Sequence, residues 1–333
     1  MNNAAILLTI AIPTYNRAAY LDNGLSHLVR EPEINTTEIE LMVSDNGSTD
    51  ATESVVKRWL SQGLKINYIR NQSNIGPDDN FLQCFRKASG KYILILGDDD
   101  ILLPGALGAI LSVLKSGEYG IVHINAFSFT RDYRAECPKF RQKSIKIYTD
   151  SERFIKKIGV FSTFISMNIT NKSLFPADLN IEDFRGTNLI QLSWIFGSAS
   201  VAQQNAFLSR FCVAASASDS SGYQFSKVFV ENMNKIFSMF VHRGVSPRVF
   251  ESIKRKMLFS FYPANIIRGR KNFRSLPPEN YFTILYPLYY DYLNFWLFTV
   301  PAIVLPLGLV YRIFKIVNKT RKKVSVIFSF LRG

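Results

Sequence analysis

Three adjacent carboxylates, Asp98, Asp99 and Asp100, follow Gly97 directly after an apolar run at residues 92–96. A short continuous apolar run reads as a buried parallel strand. Acids at the end of such a strand are unfavourable unless something positive meets them. They suit a hard divalent ion that also holds a diphosphate. Such an ion stabilises the charge growing on a departing nucleotide. A solvated acidic turn would use the same residues, so the triplet needs company. Two further polar clusters supply it: Ile12-Pro13-Thr14-Tyr15-Asn16-Arg17 and Ser44-Asp45-Asn46-Gly47-Ser48-Thr49-Asp50. Asp45 has the chemistry to accept from a base amine or imide, and the turn after it offers N–H donors. Taken singly, each cluster reads equally well as a helix cap, through Thr14 or Asn16 in the first and Ser48 in the second.

The elements that must position these clusters alternate. Strands are predicted at 7–12, 40–43, 66–69 and 92–96, and helices at 19–29, 49–60 and 80–88, the last ended by Gly90. Strand–helix–strand alternation predicts an α/β fold with a mostly parallel central sheet and right-handed crossovers. Ligands of such sheets bind beyond the carboxyl ends of the strands, where all three clusters fall. Further on, a strand is predicted at 121–129, an exposed basic excursion at 131–146, a helix at 188–196 and a strand near 207–214. His27, His123 and His242 are isolated and read as core or surface residues.

The charge is unevenly spread. The chain carries a net +14, yet residues 1–226 hold 22 basic and 22 acidic side chains, against 18 and 4 in residues 227–333. The excess implies an anionic partner for the last third alone, either a membrane surface or nucleic acid. Residues 292–311 carry no charge, are rich in large apolar side chains, and are interrupted by Pro301 and Pro306. Their number is close to the roughly 20 residues of a spanning helix. Arg312, Lys315, Lys319, Arg321, Lys322 and Lys323 follow, and the positive-inside tendency keeps these cytoplasmic. An interfacial or re-entrant segment, reinforced by Lys254-Arg255-Lys256 and Arg268-Gly269-Arg270-Lys271, satisfies both the basic flank and a cytoplasmic catalytic part. An ordinary helix packed on the rest of the chain is the competing expectation. Cys84, Cys137 and Cys212 form no paired spacing, which suggests neither a disulfide framework nor a zinc motif and fits a reducing cytoplasm. The first twelve residues lack the basic start of a signal peptide.

In this order, the clusters resemble glycosyltransferase family 2, of GT-A fold. The match is carried by Ile12 to Arg17, Val43 to Asp50, Arg70-Asn71 with Asn74-Ile75-Gly76-Pro77, and Gly97 to Asp100, and covers residues 5–215. The stretch from Asn74 to Phe81 is similar to the O-antigen branch that includes bacterial abequosyltransferases. The resemblance implies a GT-A domain, set at 1–223, while the charge and apolar pattern mark 224–333 as a helical, basic, membrane-associating region. It implies that Pro13, Thr14, Tyr15, Asn16 and Arg17 line the nucleotide pocket and that Asp45 meets the pyrimidine. Asn74, Gly76 and Asn80 would border nucleotide and sugar. Asp98, beside Asp99, would meet the ribose, and Asp100 with Asp98 the metal, Mn2+ or Mg2+. The catalytic base would be Asp183 or, second, Glu182, although Phe184-Arg185-Gly186-Thr187 separates this pair from the next helix where the family continues at once. A surface pair capping that helix is the competing expectation. Asp219 falls where the family borders its acceptor. The implied reaction moves a sugar, for example from a CDP-3,6-dideoxyhexose, to an oligosaccharide on undecaprenyl diphosphate at the cytoplasmic face of the inner membrane. Transfer to a non-lipid acceptor, or nucleic-acid binding by the basic third, are the alternatives.

Overall fold

The computed structural model describes residues 6–138, 144–217, 223–271 and 279–312. The chain divides into two compact units, one ending at Ser216 and the other beginning at Ala217.

The first unit is α/β, as expected. Its parallel strands are β1 (Leu8–Thr14), β2 (Ile39–Asp45), β3 (Asn67–Arg70) and β4 (Tyr92–Ile95). They lie in the order β3-β2-β1-β4. β1 is buried at every position, so it is covered on both faces. The covering helices are α1 (Ala18–Leu28), α2 (Thr52–Ser61) and α3 (Pro77–Lys87). The chain moves from β1 out to β3 and then returns past β1 to β4. With right-handed crossovers, that reversal places α3 on the face opposite α1 and α2. The gap between β1 and β4 is therefore a switch point, the place where such sheets take ligands.

The sheet continues through strands of mixed length and partly antiparallel pairing. These are β5 (Ile101–Leu102), β6 (Ile121–Phe129), β7 (Ile145–Tyr148), β8 (Asn168–Asn171) and β9 (Asn205–Ser216), with helices α4 (Ala106–Ser116), α5 (Tyr133–Glu136), α6 (Ser151–Ile158) and α7 (Gln191–Val201) between them. β8 joins β4 and β6 antiparallel, and β9 lies parallel to β6. Leu8, Ile10 and Ile12 of β1 pack with Leu21, Leu25 and Leu28 of α1, Val55 and Val56 of α2, and Leu107 and Ile110 of α4. On another face, Phe85 of α3 stacks on Trp194 of α7 at 4.6 Å between ring centres.

Several boundaries depart from the sequence pattern. The third helix begins at Pro77, three residues before Asn80, because proline at the first turn needs no N–H partner and has its φ preset. Gly90 does not end that helix, whose cap is Ala88. Gly90 lies against β1, where an added Cβ would stand 2.6 Å from Thr9 N. The helix expected from Asn188 starts at Gln191, since Asn188 has φ of +54°. The excursion at 131–146 contains α5 and the start of β7.

The second unit is helical. It contains α8 (Met233–His242), α9 (Pro247–Lys256), α10 (Tyr262–Arg270), α11 (Tyr281–Tyr289) and α12 (Val300–Val304), with single π turns at Lys227–Asn232, Met257–Phe261 and Phe295–Thr299. Phe237 and Phe250 stack at 4.5 Å, and the Tyr262 and Tyr289 hydroxyls meet at 2.8 Å. The uncharged stretch 292–311 is not one helix. Pro301 is accommodated at the start of α12, and the chain turns extended at Leu305 before Pro306. Among the described residues, no helix is long and apolar enough to cross a membrane. Lys315 to Lys323 lie outside the described residues.

Candidate active site

The parallel register lines up the ends of three strands. Thr14 pairs with Asp45, and Asp45 with Arg70. β4 stops three residues short of that row, at Ile95 opposite Ala11, and Leu96 N still donates to Ala11 O at 2.9 Å. The acidic triplet therefore emerges beside Thr14. The Thr14 hydroxyl donates to Asp98 Oδ2 at 2.7 Å. Arg17, whose carbonyl receives the first N–H groups of α1, turns its guanidinium back. Nη1 meets Asp98 Oδ1 and Nη2 meets Asp99 Oδ2, each at 2.7 Å. The same guanidinium lies 4.7 Å from the Tyr20 ring centre. Beneath the triplet, Gly24 of α1 brings its Cα within a methyl group's reach of the Asp98 and Asp100 carbonyls; an added Cβ would lie 3.6 and 3.7 Å away.

Asp100 points elsewhere. It is buried, and its Oδ2 accepts from Ser166 Oγ at 2.5 Å while Oδ1 accepts from Ser216 N at 3.3 Å. Ser166 Oγ also accepts from Gly97 N at 2.9 Å. Burial and the neighbouring Asp99 and Asp98 charges push the Asp100 carboxyl up to about 8, against the hydrogen bonds from Ser166 and Ser216. Burial raises Asp98 to about 6, with Arg17 and Thr14 pulling the other way. The Arg17 guanidinium bridges Asp98 and Asp99. Among the described residues, no three His, Cys, Asp or Glu side chains converge as a closed metal site. A magnesium-like ion needs only one or two carboxylates when substrate phosphates complete its shell. The triplet fits an ion shared with a diphosphate.

The second cluster closes on itself. Asp45 is fully buried. Its Oδ1 accepts from Ser48 N at 2.8 Å and its Oδ2 from the Tyr68 hydroxyl at 2.6 Å, with Arg70 Nε at 3.5 Å. The side chain expected to meet a pyrimidine is engaged inside the turn. Tyr68 and Arg70, two positions apart on one strand face, are the partly exposed groups beside it. Asn16, at φ of +52°, ties this turn to the first: its N–H donates to Ser48 Oγ at 2.9 Å, and its Oδ1 accepts from Thr49 N at 2.7 Å.

Asn46, Asn74, Gly76 and Asn80 form an amide network. Asn46 Nδ2 donates to Asn74 Oδ1 at 2.9 Å and to Gly76 O at 3.1 Å, while its Oδ1 accepts from Asn71 Nδ2 and Ile75 N. Asn80 exchanges two hydrogen bonds with Ser44 and is buried. Gly47 is required where this loop crosses, with φ of +77° and a would-be Cβ 2.8 Å from the Ser73 carbonyl carbon. These side chains shape the loop around the site. Ser166, Tyr68 and Asn46 carry roles that sequence reasoning did not assign. Only Asn46 stood inside a recognised motif.

Glu182 and Asp183 lie in a short 3-10 turn, Ile181–Phe184, and both are exposed. Glu182 pairs with Arg86 at 2.7 Å and Arg185 at 2.9 Å. Asp183 Oδ1 accepts from Asn180 Nδ2 at 3.1 Å. The pair does not cap α7, because Gly186 and Thr187 intervene and Asn188 N donates to buried Asp78 at 3.0 Å. Neither acid takes part in the hydrogen bonds that join Thr14, Arg17 and Asp98. Asp219 lies outside the described residues. His123 is a buried core residue bonded to Asn168 at 2.8 Å, and His27 packs edge-on against Tyr133.

Residues 9–175 match the family model described as Glycosyl transferase family 2. The abequosyltransferase RfbV of Salmonella typhimurium is 39% identical over 112 residues, covering 33% of this chain and 33% of its own. The GalNAc(5)-diNAcBac-PP-undecaprenol beta-1,3-glucosyltransferase of Campylobacter jejuni is 32% identical over 111 residues, covering 33% of this chain and 35% of its own. The chain thus spans about a third of the length of these two curated relatives. Among solved structures, S. aureus TarS 1-349 in complex with UDP-GlcNAc superposes with a TM-score of 0.59 at 17% identity, over 98% of this chain and 89% of that one. The mannosyltransferase PcManGT from Pyrobaculum calidifontis, in complex with GDP-Man and Mn2+, superposes with a TM-score of 0.50 at 16% identity, over 96% and 90%. At these identities the likeness is one of fold, the GT-A fold.

Proposed function

The chain belongs to glycosyltransferase family 2, and from that premise we propose that it moves a sugar from a nucleotide-sugar donor to a lipid-linked oligosaccharide in bacterial surface-polysaccharide assembly. One observation carries the reading: Thr14, Arg17 and the Asp98–Asp100 triplet meet at the switch point of the sheet, with Asp98 held by Thr14 and Arg17 and Asp100 held by Ser166. The RfbV and Campylobacter relatives support a surface-glycan role, and the latter's printed name includes undecaprenol. Residues 1–223 would be the catalytic domain. Residues 224–333 would associate with the cytoplasmic face of the membrane, where such an acceptor resides.

The donor would lie across the ends of β1, β2 and β4. Pro13 to Arg17 would line its nucleotide, with Tyr68 and Arg70 beside the engaged Asp45, and the 71–76 loop with Asn80 behind it would form the wall. Asp100 with Asp98 would hold Mn2+ or Mg2+, and the bound ion supplies neutralisation of the diphosphate. Thr14 and Arg17 orient the Asp98 carboxylate without moving a proton. Asp183 would accept the proton of the acceptor hydroxyl as its oxygen bonds to the anomeric carbon and the bond to the nucleoside diphosphate breaks. Asp183 is favoured over Glu182 because two guanidiniums hold Glu182 in place.

A panel of nucleotide sugars, led by a CDP-3,6-dideoxyhexose and UDP- and GDP-sugars, tests this through divalent-ion-dependent hydrolysis. Release of a nucleoside diphosphate from one donor class is the expected result. No release from any donor, with intact folded protein, would sink the reading.

A further inference from the structure

Exposed apolar side chains are not scattered evenly over this protein. Of seventeen large ones among the described residues, nine lie between Tyr286 and Tyr311. Soluble surfaces normally show such residues singly. Leu293 is 70% exposed, Leu297 56% and Trp296 45%. They are also neighbours. The Tyr286 ring lies 5.8 Å from Tyr290 and 6.2 Å from Trp296. Leu293 precedes Trp296 by three positions and Leu297 by four, one helical turn, so these share a side. Phe295 and Thr299 of the same turn are fully buried and hold it to its own unit, Thr299 Oγ1 donating to Leu258 O at 2.7 Å. Trp296 Nε1 donates to Tyr290 O at 2.7 Å. The indole's polar edge is satisfied within the chain, and its apolar surface is left outward.

Basic side chains border this stretch. Arg270 Nη1 donates to Ala302 O at 2.7 Å, and Lys271 lies 3.4 Å over the Tyr311 ring. Arg255 is exposed, and its carbonyl accepts from Asn294 Nδ2 at 2.8 Å, while Glu251 accepts from the Tyr292 hydroxyl. Against them, residues 281–312 contain one acid, Asp291. Apolar and aromatic side chains rimmed by cations match the boundary between acyl chains and anionic head groups. Nucleic acid would answer the charge but not Leu293 and Leu297.

We infer that the face formed by Tyr286, Tyr290, Leu293, Trp296 and Leu297 seats the chain in an anionic phospholipid surface, with Arg255, Arg270 and Lys271 toward the phosphates. Membrane association of residues 224–333, proposed above, is the reading on which this seat rests.

Flotation of the full-length chain with vesicles of phosphatidylcholine, with and without phosphatidylglycerol, tests it. Binding is expected to the anionic vesicles and to fall sharply on the neutral ones. The Leu293→Ser/Trp296→Ser variant is expected to lose at least about tenfold in partitioning, as burial of either side chain is worth a factor of that order. Both side chains are exposed, and an unchanged thermal melt confirms that the variant folds. Val201→Glu, at an exposed apolar position of the first unit, should bind as before. Brominated acyl chains should quench emission that Trp296→Phe lacks. Undiminished anionic binding by the double variant overturns the seat and leaves membrane association standing. Failure of the unsubstituted chain to bind any vesicle overturns both, and leaves the transferase reading untouched. Equal binding to neutral vesicles overturns the assignment to anionic lipid.

Discussion

Thr14 and Asp98, 84 positions apart, share a buried hydrogen bond of 2.7 Å across the gap between β1 and β4. The bond joins the first and last clusters of the site, and it exists because the two strands run parallel in register.

Thr14→Val keeps the shape and removes the donor. Asp98 Oδ2 then loses the Thr14 hydroxyl as a partner in a buried position. The loss should lower stability by about 1–3 kcal/mol and weaken donor binding, while Thr14→Ser should restore most of both. Urea unfolding and the KM for donor hydrolysis measure the two effects. Equal behaviour of the Val and Ser variants would show that the hydroxyl does not matter.

The glycines of the site make opposite predictions. A Cβ on Gly97 would lie 2.9 Å from Asp100 Oδ2 and 3.3 Å from Asp99 Oδ1. Gly97→Ala must displace the acids, and a shift of that kind can lower turnover by about a hundredfold. A Cβ on Gly24 meets only ordinary contacts with the Asp98 and Asp100 carbonyls, so Gly24→Ala should stay near the unsubstituted rate. Gly24→Val, larger at the same place, should not. Hydrolysis rates of the three variants decide the matter. A Gly97→Ala enzyme of normal rate would remove the acids from the reaction.

How far the sequence announces this site follows from locality. Apolar runs ending in polar clusters mark β1, β2 and β4, and parallel pairing then forces Thr14, Asp45 and Arg70 into one row. What the pattern leaves open is the direction of a side chain. Asn74 and Asn80 look like ligand-facing amides, but Asn46 and Ser44 claim them. Ser166 reaches Asp100 from just before β8, an antiparallel insertion with no motif of its own. The helix expected from Asn188 starts late for a similar reason, because Asp78, more than a hundred residues upstream, holds that N–H outside the helix.

Buried His123 should make the fold acid-sensitive. Asn168 Nδ2 donates to the Ser162 and Phe164 carbonyls, so its Oδ1 is the acceptor and His123 Nδ1 carries the proton. Burial lowers the imidazole to about 4 from the ordinary 6.5, with the Asn168 bond opposing. Between those values the unfolded chain binds a proton that the folded chain does not. Stability from this residue is therefore complete above pH 6.5, declines as pH falls, and is gone below about pH 4, a total of about 3 kcal/mol. His123→Gln should flatten that limb of the stability curve. Parallel curves for the two proteins would refute the assignment.

The choice between Asp183 and Glu182 can be settled by comparing two conservative amides. Asp183→Asn removes a base while sparing the turn, since an amide oxygen still accepts from Asn180 Nδ2. If Asp183 takes the acceptor's proton, turnover should fall by about a hundredfold or more, with the KM for the donor little changed, since in the proposed arrangement the donor would be bound by Thr14, Arg17 and the acidic triplet instead. Glu182→Gln breaks exposed ion pairs with Arg86 and Arg185, each worth at most about 1 kcal/mol, so its turnover should stay within a few-fold of normal. The reverse ranking would transfer the role to Glu182. Near-normal turnover in both, in folded protein, would remove the 3-10 turn from the chemistry and leave the base to be sought among other groups near the acceptor.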